Sequence, residues 1–489
     1  MMRLLVGVAA IAALVTGCTD TQAYDLVLEG GRVIDPGSGL DSVLNVGIIG
    51  DSVAALSDRP LRSANVVDVT GLVVAPGFID LHAHGQTRSD MEIQARDGVT
   101  TALEMEAGVF PVAKWYATRE GDSPLNYGAT VGHRGARYYV FHDGLEVLHA
   151  STNPAAIEAI AALGPLPAGA NQPATAAQVE ALEGALRQGL AEGALGVGFG
   201  INYSPGATPE EIERLFQLAA DRGVPVFVHT RAFGIGAIRE AVSTARSTGV
   251  ALHVVHIASS SLGDLPEALA LLDSARAAGQ NVTTEVYPYT AGSTRLESAM
   301  FNPGWQSNLR LDYGDLAWPL TGERLTRESF ERYRRQGGWA VIHMMKEENV
   351  ERAIAHAGVM IASDGVPFVN GTGHPRGAGT YARILGRYVR ERGALTLADA
   401  LARMTILPAR RLEGHVPAMR RKGRVEVGAD ADLTIFDPAT VIDRATFTEP
   451  TLPSAGIPHV LVNGVFVVRD GELVPDALPG RPVRAAVER

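Results

Sequence analysis

The first residues of the chain that could hold a metal ion are His82 and His84, which follow a turn at Pro76-Gly77. Because side chains alternate along a strand, a short strand here would place both imidazoles on one side of the backbone. Imidazole is the commonest metal ligand in proteins, although two partly exposed polar residues would show the same spacing. Two histidines form half of a metal site, so further ligands are needed from elsewhere in the chain.

Three further ligand-type residues each end an apolar run that is typical of a buried strand. They are His229, His256 and Asp364. The carboxyl ends of parallel barrel strands meet at one rim, where catalytic groups lie. A single histidine at a strand end could merely cap backbone, but four histidines and an aspartate at such positions favour a metal centre. Imidazole and carboxylate ligands favour zinc.

The second apolar run contains two glutamates, Glu104 and Glu106, which are two residues apart and therefore share one face of a strand. A charge that points into a barrel is costly unless it is paired or binds a metal. Glu106 is closer to the carboxyl end, so we expect it to bridge two metal ions. Glu104 is then its hydrogen-bond partner, or the bridge itself, and an ordinary salt-bridged pair is the alternative. His133 and His374 are predicted near the same rim as candidate substrate contacts.

Eight apolar runs alternate with helical segments between residues 75 and 415, which predicts an α/β fold with a TIM-like (β/α)8 barrel. The candidate strands are 74–82, 99–106, 129–133, 195–200, 225–229, 251–256, 281–287 and 359–364. The piece at about 290–338 breaks this alternation, being aromatic and charged without clear strand periodicity. We expect it to be an insertion over the barrel mouth.

Both ends of the chain predict β-structure. Residues 24–74 alternate short β-rich runs with turn residues, and residues 416–489 contain apolar runs separated by Asn463-Gly464 and Asp470-Gly471. Asn-Gly or Asp-Gly between apolar runs is a strong hairpin signal. We therefore expect the two ends to form one small β-sandwich domain beside the barrel.

The composition excludes several kinds of protein. The 489 residues carry a net charge of −11, from 43 basic and 54 acidic residues, and show no basic stripe, so nucleic acid is not an expected partner. Cys18 is the only cysteine, which leaves the body without a disulfide, a catalytic thiol or a thiolate metal ligand. The Gly-x-Ser-x-Gly elbow of many serine hydrolases is absent as well.

The amino terminus resembles a lipoprotein signal peptide (residues 1–18). Arg3 precedes an apolar run at 4–15 that has the length of a signal-peptide core and is too short to span a bilayer comfortably. The following Leu14 to Cys18 are similar to a bacterial lipobox, in which Cys18 is lipidated; an ordinary signal peptide is the alternative. A lipid on Cys18 would be the only membrane attachment and would hold the protein on the periplasmic side of a bacterial membrane.

Taken together, these residues resemble the amidohydrolase superfamily and, within it, the N-acyl-D-amino-acid deacylase (D-aminoacylase) family. The resemblance runs from about Tyr24 to the carboxyl terminus. Its stretches are Gly77 to His84, Asn126-Tyr127, Val131-Gly132-His133, Tyr203 to Gly206, His229-Thr230-Arg231, Tyr287-Pro288-Tyr289, Ser363-Asp364-Gly365, Gly373-His374-Pro375-Arg376, Gly379-Thr380, Met404-Thr405 and Gly428 to Leu433. It implies a hydrolase with one or two zinc ions that cleaves the amide bond of small N-acyl, mainly D-, amino acids.

Two positions depart from the family pattern. Relatives usually have a metal-bridging cysteine at the end of the second strand, where this chain has Glu106. They also tend to have a lysine, which holds the substrate's α-carboxylate, two residues after the histidine of strand six, where this chain has Ala258. The resemblance implies that Arg376, Tyr287 and Arg295 contact the substrate instead, and Arg376 would orient its carboxylate. A different acylated amino acid, a dipeptide or another amide remain open as substrates.

The resemblance implies hydrolysis by metal-activated water. The expected metal ligands are His82, His84, Glu106, His229, His256 and Asp364. Asp364 would also take the proton of the water and return it to the leaving nitrogen. One alternative is a hydantoinase-like or dihydroorotase-like cyclic-amide hydrolase, but residues 195–200 lack the expected lysine. The other is a non-catalytic solute-binding lipoprotein, which predicts a decayed ligand set.

Overall fold

The computed structural model describes residues 23–149, 153–164 and 166–488 of the chain. The predicted signal peptide and Cys18 therefore lie outside the described residues. In chain order, the strands of the described part are β1 (Ala23–Tyr24), β2 (Leu26–Asp35), β3 (Leu40–Ile49), β4 (Ser52–Ser57), β5 (Arg62–Ser63), β6 (Val66–Asp68), β7 (Val73–Pro76), β8 (Phe78–Asp80), β9 (Val99–Val109), β10 (Asn126–Gly132), β11 (Val197–Gly200), β12 (Val226–His229), β13 (Leu252–Val254), β14 (Val282–Val286), β15 (Ala291–Arg295), β16 (Leu316–Ala317), β17 (Trp339–His343), β18 (Val359–Ile361), β19 (Leu433–Phe436), β20 (His459–Val462), β21 (Val465–Arg469) and β22 (Glu472–Leu473).

Most helices lie between the parallel strands. In the described part of the chain they are α1 (Arg88–Ala95), α2 (Val112–Ala117), α3 (His133–Phe141), α4 (Pro154–Ala162), α5 (Ala168–Asn171), α6 (Ala176–Ala191), α7 (Pro209–Asp221), α8 (Ile235–Thr248), α9 (Ile257–Ser261), α10 (Leu265–Ala277), α11 (Trp305–Leu309), α12 (Arg327–Gln336), α13 (Glu347–Ala355), α14 (Arg376–Arg383), α15 (Leu397–Met404) and α16 (Ile406–Leu412). A π-helical stretch, Ile384–Glu391, continues α14. No helix among the described residues is both long and apolar enough to cross a bilayer.

Eight parallel strands form the barrel, in the spatial order β18-β14-β13-β12-β11-β10-β9-β8. Backbone contacts beyond the strands bring the two edges together: His84 N donates to Gly365 O at 2.8 Å, and Gly365 N donates to His82 O at 3.3 Å. Each of the eight runs that the sequence predicted as strands overlaps one of these strands, so the (β/α)8 prediction is confirmed. The helices pack around the barrel over a continuous buried apolar cluster.

Strands from both ends of the chain share one sheet, in the order β22-β21-β20-β19-β7-β2-β3-β4 with β6 beside β2. The sheet curls, because Val53 N donates to Ala429 O at 3.0 Å and Ala431 N donates to Asp51 O at 2.7 Å. It thereby surrounds a separate apolar core made of residues from both ends. The predicted hairpin is present, since β20 and β21 pair in antiparallel fashion around Asn463 and Gly464, whose φ angles are 48° and 80°.

Gly77 is the junction between this sheet and the barrel. It separates β7, which pairs with β19, from β8, which pairs with β9. A Cβ atom at position 77 would lie only 2.2 Å from Thr100 Oγ1, so the close approach of the two layers requires glycine here. The run at 74–82, predicted as one strand, is therefore divided between two sheets.

The insertion between β14 and β18 contains a small antiparallel sheet in the order β15-β17-β16. Its own apolar core includes Leu296, Phe301, Trp305, Phe330 and Ile342. The predicted insertion, at about 290–338, lacked clear strand periodicity. The structure extends it through β17, because that strand pairs with both β15 and β16.

Candidate metal centre

The barrel brings His82, His84, Glu106 and Asp364 together at the carboxyl ends of its strands. One donor atom from each of these residues lies within 4.8 Å of the others. The Nε2 atoms of His82 and His84 are 3.1 Å apart, and each lies 3.0 Å from Oε2 of Glu106. Oδ1 of Asp364 is 3.4 Å from both nitrogens. These residues form the first donor group.

A second donor group consists of His229 and His256 together with the same glutamate. His229 Nδ1 lies 3.0 Å from His256 Nε2 and 3.0 Å from Glu106 Oε1. Glu106 therefore directs one carboxylate oxygen toward each donor group, which is the arrangement of a bridging ligand. Glu104 lies elsewhere, with Oε2 at 2.7 Å from His84 Nδ1. Of the two glutamates left open by the sequence, the structure places Glu106 between the groups.

The chemistry of the first group fits a metal cation. His82 Nδ1 is 2.5 Å from the Glu285 carboxylate and His84 Nδ1 is 2.7 Å from the Glu104 carboxylate, so in the neutral form that binds metal each ring carries its proton on Nδ1. The Nε2 lone pairs of both rings then face each other across 3.1 Å, beside two more carboxylates. Four electron donors at such distances repel one another unless a cation lies among them, and nitrogen and oxygen donors suit zinc.

Charge at the site favours cation binding. Burial opposes ionisation of Glu106, but the imidazoles around it hold its carboxyl pKa well below the usual value. Burial likewise opposes ionisation of Asp364, whose pKa is nevertheless lowered by Arg376 and His82. Burial lowers the pKa of His82, but the Asp364 and Glu285 carboxylates raise it to about 10. The negative surroundings that would attract a proton to this ring attract a metal ion in the same way.

Buried carboxylates hold the rings of the first group in place. Glu285 lies between His82 and His253, whose Nε2 is 2.8 Å from Glu285 Oε2. Glu104 lies between His84 and His149, whose Nε2 is 2.7 Å from Glu104 Oε2. Such outer partners fix the tautomer and orientation of a metal-binding histidine. Sequence reasoning missed Glu285, His253 and His149, although Glu285 is a charged residue within the otherwise uncharged strand β14 and could have been noticed.

The second group is supported by hydroxyls instead. His256 Nδ1 lies 2.9 Å from Ser259 Oγ and 3.0 Å from Ser260 Oγ, at the start of α9. His256 and Asp364 both have left-handed backbones, with φ angles of 34° and 50°. Non-glycine residues rarely adopt this conformation, and it is frequently found at functional sites. The backbone strain thus coincides with the ends of two strands that carry donors.

Arg376 and Tyr287 lie beside the donors and line the cavity above them. Arg376 Nη1 is 2.9 Å from Asp364 Oδ2, and the guanidinium lies over the Tyr287 ring at 4.6 Å from its centre. The side chain of Arg376 is buried, and its Nε has no hydrogen-bond partner among the described residues. An unpaired edge of a buried guanidinium suits a carboxylate ligand.

Two of the predicted substrate contacts lie away from this cavity. His133 is buried with its Nε2 2.7 Å from Glu211 Oε1, and Arg137 contacts the same carboxylate. His374 is buried as well, and its Nδ1 accepts a hydrogen bond from Arg376 N at 3.1 Å. Neither histidine lines the cavity. The expectation that they contact substrate is therefore corrected: the side chain of His133 turns to a charge pair behind the rim, and His374 supports the start of α14.

The cavity over the donor groups has a volume of about 520 Å³. His84, Glu106, His229, His256 and Asp364 lie in its wall. Arg295 lies farther out on β15, where it forms an ion pair with Glu297. A volume of this size is typical of a small-molecule site.

Comparison with known proteins agrees with this site. A model of the Amidohydrolase family matches residues 65–468. The N-acyl-D-glutamate deacylase of Alcaligenes xylosoxydans xylosoxydans is 34% identical, over 95% of this chain and 97% of the relative. The structure of N-acyl-D-glutamate deacylase from Bordetella bronchiseptica, complexed with zinc and a phosphonate mimic of the tetrahedral intermediate, superimposes with a TM-score of 0.78 at 30% identity, covering 95% and 100% of the two chains. A structure of D-aminoacylase, studied for its binuclear metal centre, gives a TM-score of 0.79 at 28% identity, covering 94% and 100%. Since the family model spans most of the chain and the similarity extends over whole relatives, the protein belongs to the amidohydrolase family.

Proposed function

We propose that the protein is a zinc-dependent hydrolase that cleaves the amide bond of N-acyl D-amino acids. The observation that carries this proposal is the position of Glu106, with one oxygen toward each of two histidine pairs and with Asp364 and Arg376 alongside. The relatives named above act on N-acyl-D-glutamate or are D-aminoacylases, which supports the same bond and the same stereochemistry.

The first donor group and the second donor group would hold one or two zinc ions. When bound, zinc lowers the pKa of water toward neutrality and polarises a carbonyl. Asp364 is part of the first group, with its Oδ1 facing His82 and His84 and its Oδ2 facing Arg376. In this position its carboxylate accepts the proton of the attacking water and delivers it to the departing nitrogen.

Arg376 would bind the α-carboxylate of the amino-acid half. Its guanidinium is held over Tyr287 and is buried, so a carboxylate that meets it is bound with little competition from water. This assigns to Arg376 the task that the strand-six lysine performs in the family pattern, because Ala258 has no charge. The leaving amino acid would then lie on the side of the cavity formed by the ends of β14 and β18.

The alternatives fit less well. A cyclic-amide hydrolase of the hydantoinase kind is expected to carry a lysine on the fourth barrel strand, and β11 has the sequence Val-Gly-Phe-Gly. A non-catalytic binding protein would have no need for a full donor set, yet both donor groups, Asp364 included, are present with close distances between their donor atoms.

The decisive experiment compares purified enzyme, zinc-loaded and chelator-treated, on paired D and L isomers of N-acetyl amino acids. We expect hydrolysis of the D isomers only, loss of activity on chelation and recovery with zinc, together with one or two zinc ions per chain by elemental analysis. Equal rates on both isomers would remove the stereochemical part of the proposal. Hydrolysis that is unaffected by complete metal removal would refute the mechanism.

We also propose that the protein is a lipoprotein anchored through Cys18 on the periplasmic side of a bacterial membrane. The support is the short apolar run at 4–15 followed by a lipobox-like sequence. Labelling of expressing cells with a fatty-acid analogue should mark the protein and move it to the membrane fraction. The Cys18→Ser variant should lose both properties, and an unlabelled, freely released parent protein would contradict the anchor.

A further inference from the structure

One wall of the cavity is formed by a helix that is almost entirely apolar. Helix α4 lies in the connection after β10 and has Glu158 as its single charged residue. Its residues Ile157, Ile160 and Ala161, with Gly164 just beyond, line the cavity. Their spacing of three, four and seven residues places them on one face of the helix. The helix thus turns an apolar stripe toward the site rather than a charged one.

The insertion completes this wall. Met300 and Trp339 line the cavity from the insertion, and Ala170 lines it from α5. Met300 and Ala170 are buried, while Trp339 and Ile160 remain partly exposed toward the cavity. We call the surface formed by Ile157, Ile160, Ala161, Ala170, Met300 and Trp339 the apolar wall. Partly exposed apolar side chains that surround a cavity gain stability when an apolar ligand covers them.

Two of the arginines near the apolar wall have partners within the insertion. Arg295 forms an ion pair with Glu297, which also accepts a hydrogen bond from Gly338 N at 3.0 Å. Arg334 donates to Phe301 O and to Asn302 Oδ1. A second negative group of a substrate that approached Arg295 would have to compete with Glu297, whereas Arg334 has only neutral partners and Arg335 also lines the cavity.

Helix α4, which supplies half of the apolar wall, and Tyr287, which holds Arg376, come from opposite sides of the barrel. Helix α4 follows β10, the third strand of the barrel, whereas Tyr287 follows β14, the seventh strand, and Arg376 follows β18, the eighth. The third and seventh strands are four places apart in a closed ring of eight, and therefore face each other. A substrate whose carboxylate meets Arg376 and whose amide lies at the donors can extend its acyl group across the cavity toward α4.

We propose that the apolar wall binds the acyl half of the substrate and that this half is an unbranched apolar chain several carbons longer than acetyl. This inference rests on the proposed function and specifies its substrate class. Hydrolysis breaks the amide C–N bond, transfers the hydroxyl of water to the acyl carbon and its proton to nitrogen, and so releases a short- to medium-chain fatty acid and a D-amino acid. The cavity, at about 520 Å³, is large enough for both halves.

The first test is an acyl series on one D-amino acid: N-acetyl, N-butyryl, N-hexanoyl and N-octanoyl. We expect kcat/KM to rise about three- to fourfold for each methylene group up to hexanoyl, as expected for its transfer from water to an apolar surface. An N-succinyl substrate has the same number of acyl carbons as N-butyryl but ends in a carboxylate, and it should be the poorer of the two. A flat series, a preference for acetyl, or a preference for succinyl would overturn the proposal.

Variants of the apolar wall provide the second test. Ile160→Asn should reduce the ratio of kcat/KM for the hexanoyl substrate to that for the acetyl substrate at least tenfold. Ala161→Trp should reduce the same ratio by filling cavity space, and because Ala161 is exposed, this substitution removes no core packing. The matched control is Leu166→Asn, since Leu166 belongs to the same connection but is 59% exposed and does not line the cavity. An unchanged ratio in both wall variants, or an equal drop in the control, would contradict the assignment.

Binding to the Asp364→Asn protein separates this inference from the proposed function. Calorimetry with N-hexanoyl and N-acetyl D-amino acids should show tighter binding of the hexanoyl compound, even if no turnover is detected in the parent enzyme. Equal affinity for the two compounds, together with normal hydrolysis by the parent enzyme, would refute acyl binding at the apolar wall and leave the proposed hydrolase function standing. A third series keeps the acetyl group and lengthens the side chain of the D-amino acid, to test whether that side chain occupies the apolar wall instead. If kcat/KM rises along this series and Ile160→Asn removes the rise, the apolar wall binds the side chain and the proposal is overturned.

Discussion

The floor of the cavity and its apolar wall are built in opposite ways. The floor consists of the two donor groups, which include Asp364; their residues lie toward the carboxyl ends of barrel strands, are buried, and have polar partners within a few ångströms. The wall comes from connections, namely α4, α5 and the insertion, and meets the substrate with apolar side chains. A rigid scaffold therefore fixes the chemistry, while the connections decide which molecule is held over it. Changes to the floor should affect turnover or metal binding, and changes to the wall should affect substrate choice.

The largest effect on turnover is expected for Asp364→Asn. Loss of the proton acceptor should lower kcat by a factor of about 10² to 10⁴, while zinc content stays close to that of the parent enzyme, because the histidines and Glu106 remain. Initial rates and elemental analysis of the same preparation measure both quantities. Glu183→Gln is a suitable control, since Glu183 pairs with Arg214 on the helical outside of the barrel. Full activity in Asp364→Asn would remove this residue from the mechanism.

The next effect concerns metal affinity. Glu285→Gln removes the carboxylate that orients His82 and should weaken zinc binding about 10- to 100-fold, as measured by competition with a chromogenic chelator. Glu211→Gln is the matched control, because Glu211 is an equally buried carboxylate beside His133 but lies away from the cavity. Equal zinc affinity in the parent and the Glu285→Gln protein would show that metal binding by the first donor group does not depend on the Glu285 carboxylate.

A smaller effect is expected for Arg376→Lys, which keeps the charge and loses the planar two-point contact. KM for an N-acyl D-amino acid should rise about tenfold, consistent with the loss of one charge-assisted hydrogen bond. The corresponding N-acyl amine lacks the carboxylate and should be hydrolysed equally poorly by the parent and the variant. If the variant loses the same factor on both compounds, Arg376 acts on Asp364 rather than on the substrate carboxylate.

The smallest effect on catalysis is expected behind the rim, at Glu211. Burial opposes ionisation of Glu211, but His133 and Arg137 lower its pKa from 4.5 to about 2. A carboxyl group whose pKa is lower in the folded than in the unfolded protein stabilises the fold at pH values above the unfolded-state pKa. This stabilisation is lost as the pH falls from about 4.5 to about 2. Glu211→Gln should therefore cost about 3 kcal/mol of stability at pH 7, with less difference from the parent in acid and with unchanged kcat/KM. Denaturant unfolding at several pH values measures this, and a pH-independent difference would contradict it.

The same contrast explains what the sequence could predict. The donors of the floor each end an apolar run, and a polar residue at that position is visible in any (β/α) repeat; this is why His229, His256 and Asp364 were found. His133 also follows a strand, but it is the first residue of α3, and its side chain leaves the rim toward α7. A strand-end position alone does not tell on which side of the barrel wall a side chain lies.

The wall and the supporting carboxylates were harder to predict. Helix α4 has the composition of a buried helix, and nothing in its sequence reveals that one face borders a cavity. His149 lies in an irregular connection and meets Glu104 only through the tertiary fold. The three strands of the insertion are short and pair out of sequence order, so their period of two is too brief to recognise.

The curled sheet shared by both ends of the chain has a consequence for synthesis. Strands β2 to β7 are made first, but their partner β19 leaves the ribosome only after the whole barrel has been made. Until then the edge of β7 has no partner and remains open to pairing with other chains. A protein interrupted before residue 433 should therefore be prone to aggregation even with every zinc-binding residue in place.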